Sequence, residues 1–176
     1  MEMKGGILEV LLASAQGIGH NIGKGNYYVI LECGPQVYKS KTSRGYPKEI
    51  CWNQKFTFEL PMKDLEKYYH LKLRIMHDDI FTNGFVGKTI VNLKGIIAEG
   101  NESGFVEMKP VPHNVTLEDD SYKGLLNIGL IFTPQIIMQT REIGMVEEKR
   151  NGIKQFVYRK IIKLFQIQWW RRHHNS

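Results

Sequence analysis

The residues best suited to chemistry are basic and aromatic, and most of them lie near the C-terminus of this 176-residue chain. Residues 139–176 hold nine Lys and Arg against three Asp and Glu, which accounts for the whole formal net charge of +6. Cations attract an anionic lipid surface, and indole rings settle at its apolar boundary. We therefore expect lipid binding by the tail residues Lys154, Arg159, Lys160, Lys163, Trp169, Trp170, Arg171 and Arg172.

The same tail has helical periodicity. From residue 152 onward apolar residues recur three and four positions apart, which predicts a basic amphipathic helix over 152–176, joined by a linker over 135–151. Such a helix can lie on a membrane surface. The alternatives are that its apolar side packs against the rest of the chain or a partner, or that the tail is flexible.

A second basic group lies earlier in the chain, at Lys39, Lys41, Arg44 and Lys48. Residues two apart on a strand share a face, so Lys39 and Lys41 are expected on one side together with Val37. This pattern predicts a site for an anionic headgroup. The alternative is an ordinary solvated strand face.

Catalytic patterns are not found. The chain has no paired carboxylates, nucleophile motif or spaced set of metal ligands. The glycine-rich stretch at residues 17–25 leads into a strand, whereas a phosphate-binding loop opens a helix. A transition-metal site at His77, next to Asp78 and Asp79, is an alternative with little support from the spacing. We therefore expect a protein that is not an enzyme.

Short strands must position these residues. Eight segments alternate or run apolar and are separated by Gly, Pro, Asn or Asp, which predicts an all-β, eight-stranded antiparallel sandwich that needs no helix for its core. Two of these segments alternate most clearly between apolar and polar residues. The side chains expected to point inward are Phe56, Phe58 and Leu60 in one segment and Leu71, Leu73 and Ile75 in the other. The segments are 7–15, 27–32, 37–42, 55–60, 70–76, 88–93, 104–109 and 125–132.

The sequence also predicts where in the cell the protein is found. No stretch reaches the roughly 18 to 20 apolar residues needed to span a bilayer, and the N-terminus does not resemble a signal peptide. We expect a cytoplasmic protein, peripheral at the membrane. Cys33 and Cys51 are expected to be buried free thiols.

Five stretches, in order, resemble the C2 domain, and specifically the small single-C2 proteins of plants, the phloem-protein and elicitor-responsive group. The resemblance implies a C2-like sandwich over residues 1–134. Trp52 and Phe58 would anchor its core, Asn53 would hold a turn before a strand, and Gly87 would allow a tight strand entry. The stretches are GGILEVLLASAQGI, GKGNYYVIL, ICWNQKFTFEL, LKLRIMHDDIFTNGFVGKTIVNL and GLLNIGLIFTP.

The resemblance also implies calcium-dependent lipid binding through loop aspartates. Their places are taken by His20 or Asn21 and by the set Asn26, His77, Asp79 and Asn83, with Gly84 as the alternative to Asn83, and Asp79 alone is a carboxylate. Calcium prefers six to eight oxygen ligands with several carboxylates. We therefore predict degenerate calcium loops and no cofactor, with calcium as the alternative. The acidic run at residues 118–120 is expected at the same end, as a solvated turn.

These observations predict a non-enzymatic C2 protein that binds anionic phospholipid membranes, largely without calcium, in signalling, defence or trafficking. One alternative is RNA binding, because the phloem group is linked to RNA movement and the aromatic residues of the tail, among them Tyr158 and Phe165, can stack on bases. The other is a protein adaptor that lays its tail helix into a partner groove.

Overall fold

The computed structural model describes residues 5–18, 25–46, 48–78 and 84–135. Within these ranges the chain forms nine strands, one α-helix and a short 3₁₀ helix at Leu65–Tyr68. None of the described helices is both long and apolar enough to cross a bilayer. In chain order the elements are β1 Gly6–Gln16, β2 Gly25–Cys33, β3 Gln36–Lys39, β4 Ser43–Gly45, β5 Glu49–Leu60, β6 His70–His77, β7 Phe85–Asn92, α1 Lys94–Ser103, β8 Val106–Thr116 and β9 Tyr122–Pro134.

The strands pair antiparallel in the order β3-β2-β6-β7-β8-β9-β1-β5, and β4 also pairs with β2. The first and last strands of this order, β3 and β5, are joined by side-chain hydrogen bonds. The Gln36 amide donates to the Glu59 carbonyl at 2.6 Å and accepts the Glu59 N–H at 3.0 Å. The Ser43 hydroxyl donates to the Cys51 carbonyl at 2.6 Å. These bonds join β3 and β4 to the free edge of β5, so the predicted all-β sandwich is confirmed in a nearly closed form.

The core lies between the two halves of this sandwich and follows the predicted alternation. Leu8, Val10 and Leu12 of β1 are fully buried. The inward sets predicted for the strands now called β5 and β6 are also buried. Burying a side chain of this size contributes about 1.5–3 kcal/mol, so these rows fix which face of each strand points to solvent. The buried rows are Phe56, Phe58 and Leu60, and Leu71, Leu73 and Ile75.

The predicted count of eight strands is wrong, because the described residues form nine, and several predicted bounds differ: β5 begins at Glu49 and β8 runs to Thr116. The segment expected over 37–42 ends at Lys39, and pairing with β2 resumes only at β4, because the Ser40 hydroxyl accepts the Val29 N–H at 2.8 Å in place of a backbone carbonyl. Asn53 does not hold a turn before a strand. It lies inside β5 with a φ of +47°, at a β-bulge where two residues of β5 oppose one of β1.

The helix α1 was not predicted, and the sandwich does use it. Ile97 and Gly100 are buried, and Gly100 lies so close to Phe132 that a Cβ atom there would approach the ring to 2.4 Å. Gly95 and Gly100 are poor helix formers and conceal the pattern in the sequence. Gly104, at a φ of +80°, ends the helix by donating to the Gly100 carbonyl.

The two thiols differ in environment. Cys33 is buried in the core, its Sγ lies 3.7 Å from the Tyr68 carbonyl, and burial raises its pKa to about 12. Cys51 is exposed, so its expected burial is wrong. The reason is that β5 alternates outward at residue 51, while Ile50 takes the inward position.

Candidate functional site

The outward side of β3, β2, β6 and β7 forms a surface that we call the basic face, defined by Lys39, Lys72, Arg74 and Lys88. The register places three of these cations in one row, because Ile30 of β2 lies opposite both Lys39 and Arg74, and Arg74 lies opposite Lys88. Neighbouring strands are about 4.8 Å apart, so Arg74 and Lys88 are adjacent in this row, and Lys39 lies two strands from Arg74, beyond Ile30.

The alternation of burial confirms that these side chains share a side. In β6 the exposed positions alternate with buried Leu71, Leu73 and Ile75, and in β7 Lys88 lies next to buried Thr89. The apolar residues of the next row are also open to solvent, with Val37 59% and Ile90 55% exposed. The basic face therefore mixes cations with exposed aliphatic groups.

The four residues predicted early in the chain are all exposed but fall in different places. Lys39 is part of the basic face, and Arg44 lies beside it because Arg44 pairs with Asn26 of β2. Lys41 lies in the connection between β3 and β4, where its N–H donates to the Gln54 side chain at 2.8 Å. Lys48 lies in the turn before β5, where its carbonyl accepts the Gly17 N–H.

Sequence reasoning missed Lys72, Arg74 and Lys88. In the sequence they are simply the polar partners of two amphipathic strands, and nothing local places them beside β3. Only the pairing of β2 with both β3 and β6 brings them next to Lys39. The available signal was that these two strands carry Lys and Arg but no Asp or Glu.

Two cations of the basic face already interact with other side chains of the protein. The Lys39 ammonium lies 3.9 Å from the centroid of the Tyr28 ring, a cation–π contact. The Arg74 guanidinium forms an ion pair with the Glu32 carboxylate. Within the described residues, neither the Lys72 ammonium nor the Lys88 ammonium has a hydrogen bond or ion pair. Four cations and one carboxylate leave this surface with a net charge of +3.

The opposite side of the molecule carries both signs. On β1 and β5 the outward positions include Glu9, Lys55 and Glu59, and on β8 Glu107 and Lys109 are exposed. Negative groups there balance or exceed the positive ones. The electrostatic asymmetry of the sandwich therefore points to the basic face as its anion-attracting side.

The predicted calcium residues are brought together only in part. Asn26 and His77 lie at the facing ends of β2 and β6, and the Asp78 N–H donates to the Asn26 carbonyl at 2.8 Å. The His77 and Tyr27 ring centroids are 4.8 Å apart. Asp79 and Asn83 lie outside the described residues, as do His20 and Asn21.

The acidic run at residues 118–120 lies in the turn between β8 and β9, at the same end as His77, because Thr116 pairs with both Tyr122 and Lys88. The Asp119 carboxylate accepts the Ser121 N–H at 3.0 Å, so it holds its own turn. Over the described ranges there is no group of three or more His, Cys, Asp and Glu residues able to hold a metal ion.

Two buried polar side chains lie away from these surfaces. The amide of Asn101 on α1 and Nε2 of His113 on β8 are buried with no hydrogen-bond partner within the described part of the chain. Burial lowers the pKa of His113. The two residues lie on different elements, and they provide no shared ligand set.

The predicted tail site, from Lys154 to Arg172, lies outside the described residues, as does the predicted linker after its first residue, Gln135. These parts of the lipid-binding prediction stay predictions. What the described residues contribute is one continuous basic surface with exposed aliphatic groups. Such a surface can attract phosphate groups by charge and contact acyl chains at their boundary.

Comparison with known proteins agrees with this architecture. Elicitor-responsive protein 1 of Oryza sativa subsp. japonica is 34% identical over 134 residues, covering 73% of this chain and 84% of the rice protein. The 16 kDa phloem protein 1 of Arabidopsis thaliana is 30% identical, covering 85% of this chain and 95% of its own length.

Among solved structures, a C2 domain-containing protein from an elicitor-responsive gene is similar, with a TM-score of 0.60 and 29% sequence identity. The alignment covers 80% of this chain and 95% of that one. A family model for the C2 domain matches residues 6–108, which run from β1 into β8. The chain belongs to the C2 domain family.

Proposed function

We propose that this protein is a non-enzymatic, peripheral membrane protein that binds anionic phospholipid through its basic face, largely without calcium. The observation that carries the proposal is the row formed by Lys39, Arg74 and Lys88, flanked by Lys72 and by exposed Val37 and Ile90. Charge brings this surface to the headgroups, and the aliphatic groups contact the lipid boundary.

The strength of this attraction is limited. Near an anionic surface each Lys or Arg contributes about 1 kcal/mol, so a net charge of +3 supplies about 3 kcal/mol before screening. Stable attachment of a peripheral protein usually needs two signals. We propose that the basic tail over residues 152–176 provides the second signal, acting together with the basic face.

Calcium independence rests on the loop residues. Asn26 and His77 replace aspartates, and calcium sites with few carboxylates bind weakly. An amide oxygen coordinates without neutralising charge, and an imidazole is a poor ligand for a hard cation. We propose that the loop end serves as scaffold and that the cations make direct contact with the lipid phosphates.

RNA is a less suitable ligand for this surface. Single-stranded RNA needs aromatic rings open for stacking. Two aromatic side chains lie in the outward row of the described strands, Tyr28 and, opposite Met76, Phe85. Both are half-buried, and the Lys39 ammonium lies over the Tyr28 ring. A membrane needs only accessible charge and aliphatic groups, and both are present.

Co-sedimentation of the full chain with lipid vesicles tests the proposal. Phosphatidylcholine vesicles with and without phosphatidylserine are compared in chelator, at low and at physiological ionic strength. We expect binding only to the anionic vesicles, weaker at the higher ionic strength because salt screens exposed charges. Single-stranded RNA serves as a competitor. Binding that requires added calcium, or preferential binding of RNA, would contradict the proposal.

A further inference from the structure

Glu32 is the one acidic side chain on the described strand residues that point outward on the basic face. It lies on β2 directly opposite Lys72 of β6, yet its carboxylate pairs diagonally with the Arg74 guanidinium. The Glu32 side chain is 28% exposed and that of Arg74 47% exposed, so both are accessible to a ligand. A carboxylate therefore occupies the guanidinium at the centre of the cationic row.

The ion pair between Glu32 and Arg74 determines which cations of the basic face are open to an incoming anion. A guanidinium binds phosphate through parallel N–H bonds, which makes Arg74 the most specific phosphate ligand in the row. While Glu32 holds it, the open cations are the ammonium groups of Lys72 and Lys88. A carboxylate displaced from Arg74 has Lys72 directly opposite as its next partner. When an anion replaces Glu32 at Arg74, the Arg74 guanidinium pairs with the anion and the Glu32 carboxylate pairs with Lys72, so neither charge is left unpaired.

We propose that Glu32 is an internal competitor that makes the basic face selective for phosphomonoesters over phosphodiesters; this rests on the proposed function. A phosphodiester headgroup carries a single negative charge on its phosphate, no more than the carboxylate it must displace. A phosphomonoester carries about −1.5 to −2 at neutral pH and has three acceptor oxygens. It displaces Glu32 and binds between Arg74 and Lys88, which are adjacent in the row.

The test compares vesicles containing phosphatidic acid, a phosphomonoester, with vesicles containing phosphatidylserine, matched for surface potential. The variants are Glu32→Gln and, as a matched control on the opposite side of the sandwich, Glu107→Gln. We expect the wild-type full chain to prefer phosphatidic acid. Glu32→Gln should strengthen binding to phosphatidylserine about fivefold, as expected for one charge near an anionic surface, and binding to phosphatidic acid clearly less. Glu107→Gln should leave both nearly unchanged.

Each other outcome has a definite meaning. An equal gain for both lipids would overturn the proposal, because Glu32 would act only as a charge. A loss for both would also overturn it, because Glu32 would then serve to position Arg74. Binding of soluble glycerol 3-phosphate with no preference between the vesicles would overturn the assignment to a lipid headgroup. A wild-type chain that binds neither vesicle contradicts the proposed function itself.

A second variant keeps the proposal testable should Glu32→Gln fold poorly, which thermal melting followed by circular dichroism would reveal. Arg74→Lys keeps the positive charge but loses the planar fork of donors. We expect Arg74→Lys to remove most of the preference for phosphatidic acid. An unchanged preference in this variant would overturn the role of the ion pair.

Discussion

Removing two unpaired charges from the basic face should weaken membrane binding far more than removing two charges elsewhere. The Lys72 and Lys88 ammonium groups have no ion pair or hydrogen bond within the described residues, so their substitution breaks no such interaction there. The double change Lys72→Gln and Lys88→Gln lowers the charge of the face from +3 to +1. The matched control is Lys55→Gln with Lys109→Gln, which alters the net charge of the chain equally.

The expected magnitude follows from the contribution of each charge. At about 1 kcal/mol per cation, the double variant loses about 2 kcal/mol, or about a 30-fold decrease in partitioning to anionic vesicles. Packed sheets lie about 10 Å apart, and screening in physiological salt acts over about 8 Å. Outward charges on the opposite side are therefore largely screened from a membrane that contacts the basic face.

The assay is co-sedimentation of each full-length variant with phosphatidylserine vesicles in chelator at fixed ionic strength. Thermal melts of all the variants confirm that folding is unaffected. Equal losses in the two double variants would refute the reasoning, since binding would then depend on net charge and not on the face. A wild-type level of binding by the Lys72 and Lys88 variant would refute it as well.

Four further predictions concern the fold. Ser40→Ala should lower the free energy of unfolding by about 1–3 kcal/mol in urea denaturation, because the buried Val29 N–H loses its acceptor; a loss near zero would contradict this. In the native protein, alkylation should modify Cys51 and spare Cys33. Stability should fall as the pH rises from about 9 towards about 12, because the Cys33 thiol ionises first in the unfolded chain, and Cys33→Ala should remove that component. The lowered pKa of His113 should make stability fall as the pH drops below about 6.5, and an unchanged urea midpoint between about pH 7 and about pH 5 would contradict this.

The fold was largely predictable because local alternation is enforced by burial. Phe58 and Leu73 point inward, as their spacing requires. The break at Ser40 was not predictable, because a serine hydroxyl that replaces a backbone acceptor leaves no pattern in the sequence. Nor was α1, since Gly100 is present for its close approach to Phe132 and not for helix propensity.

The candidate site was predictable only for β3, where Lys39 lies in a short run of basic residues. Lys72, Arg74 and Lys88 join it through pairings between strands that are far apart in the sequence. The ion pair of Glu32 with Arg74 spans 42 residues and depends on a diagonal contact across two strands. Charge counted along the chain showed residues 1–138 as neutral, whereas the fold separates those charges onto different sides.

The most direct test of direct lipid contact by the basic face is lysine footprinting of the full chain with an amine-reactive reagent. The protein is labelled with and without phosphatidylserine vesicles, in chelator, and modification is measured by mass spectrometry. We expect Lys39, Lys72 and Lys88 to be protected by the vesicles, while Lys109 stays reactive. Protection that appears only with added calcium, or that leaves these three lysines as reactive as Lys109, would contradict the account.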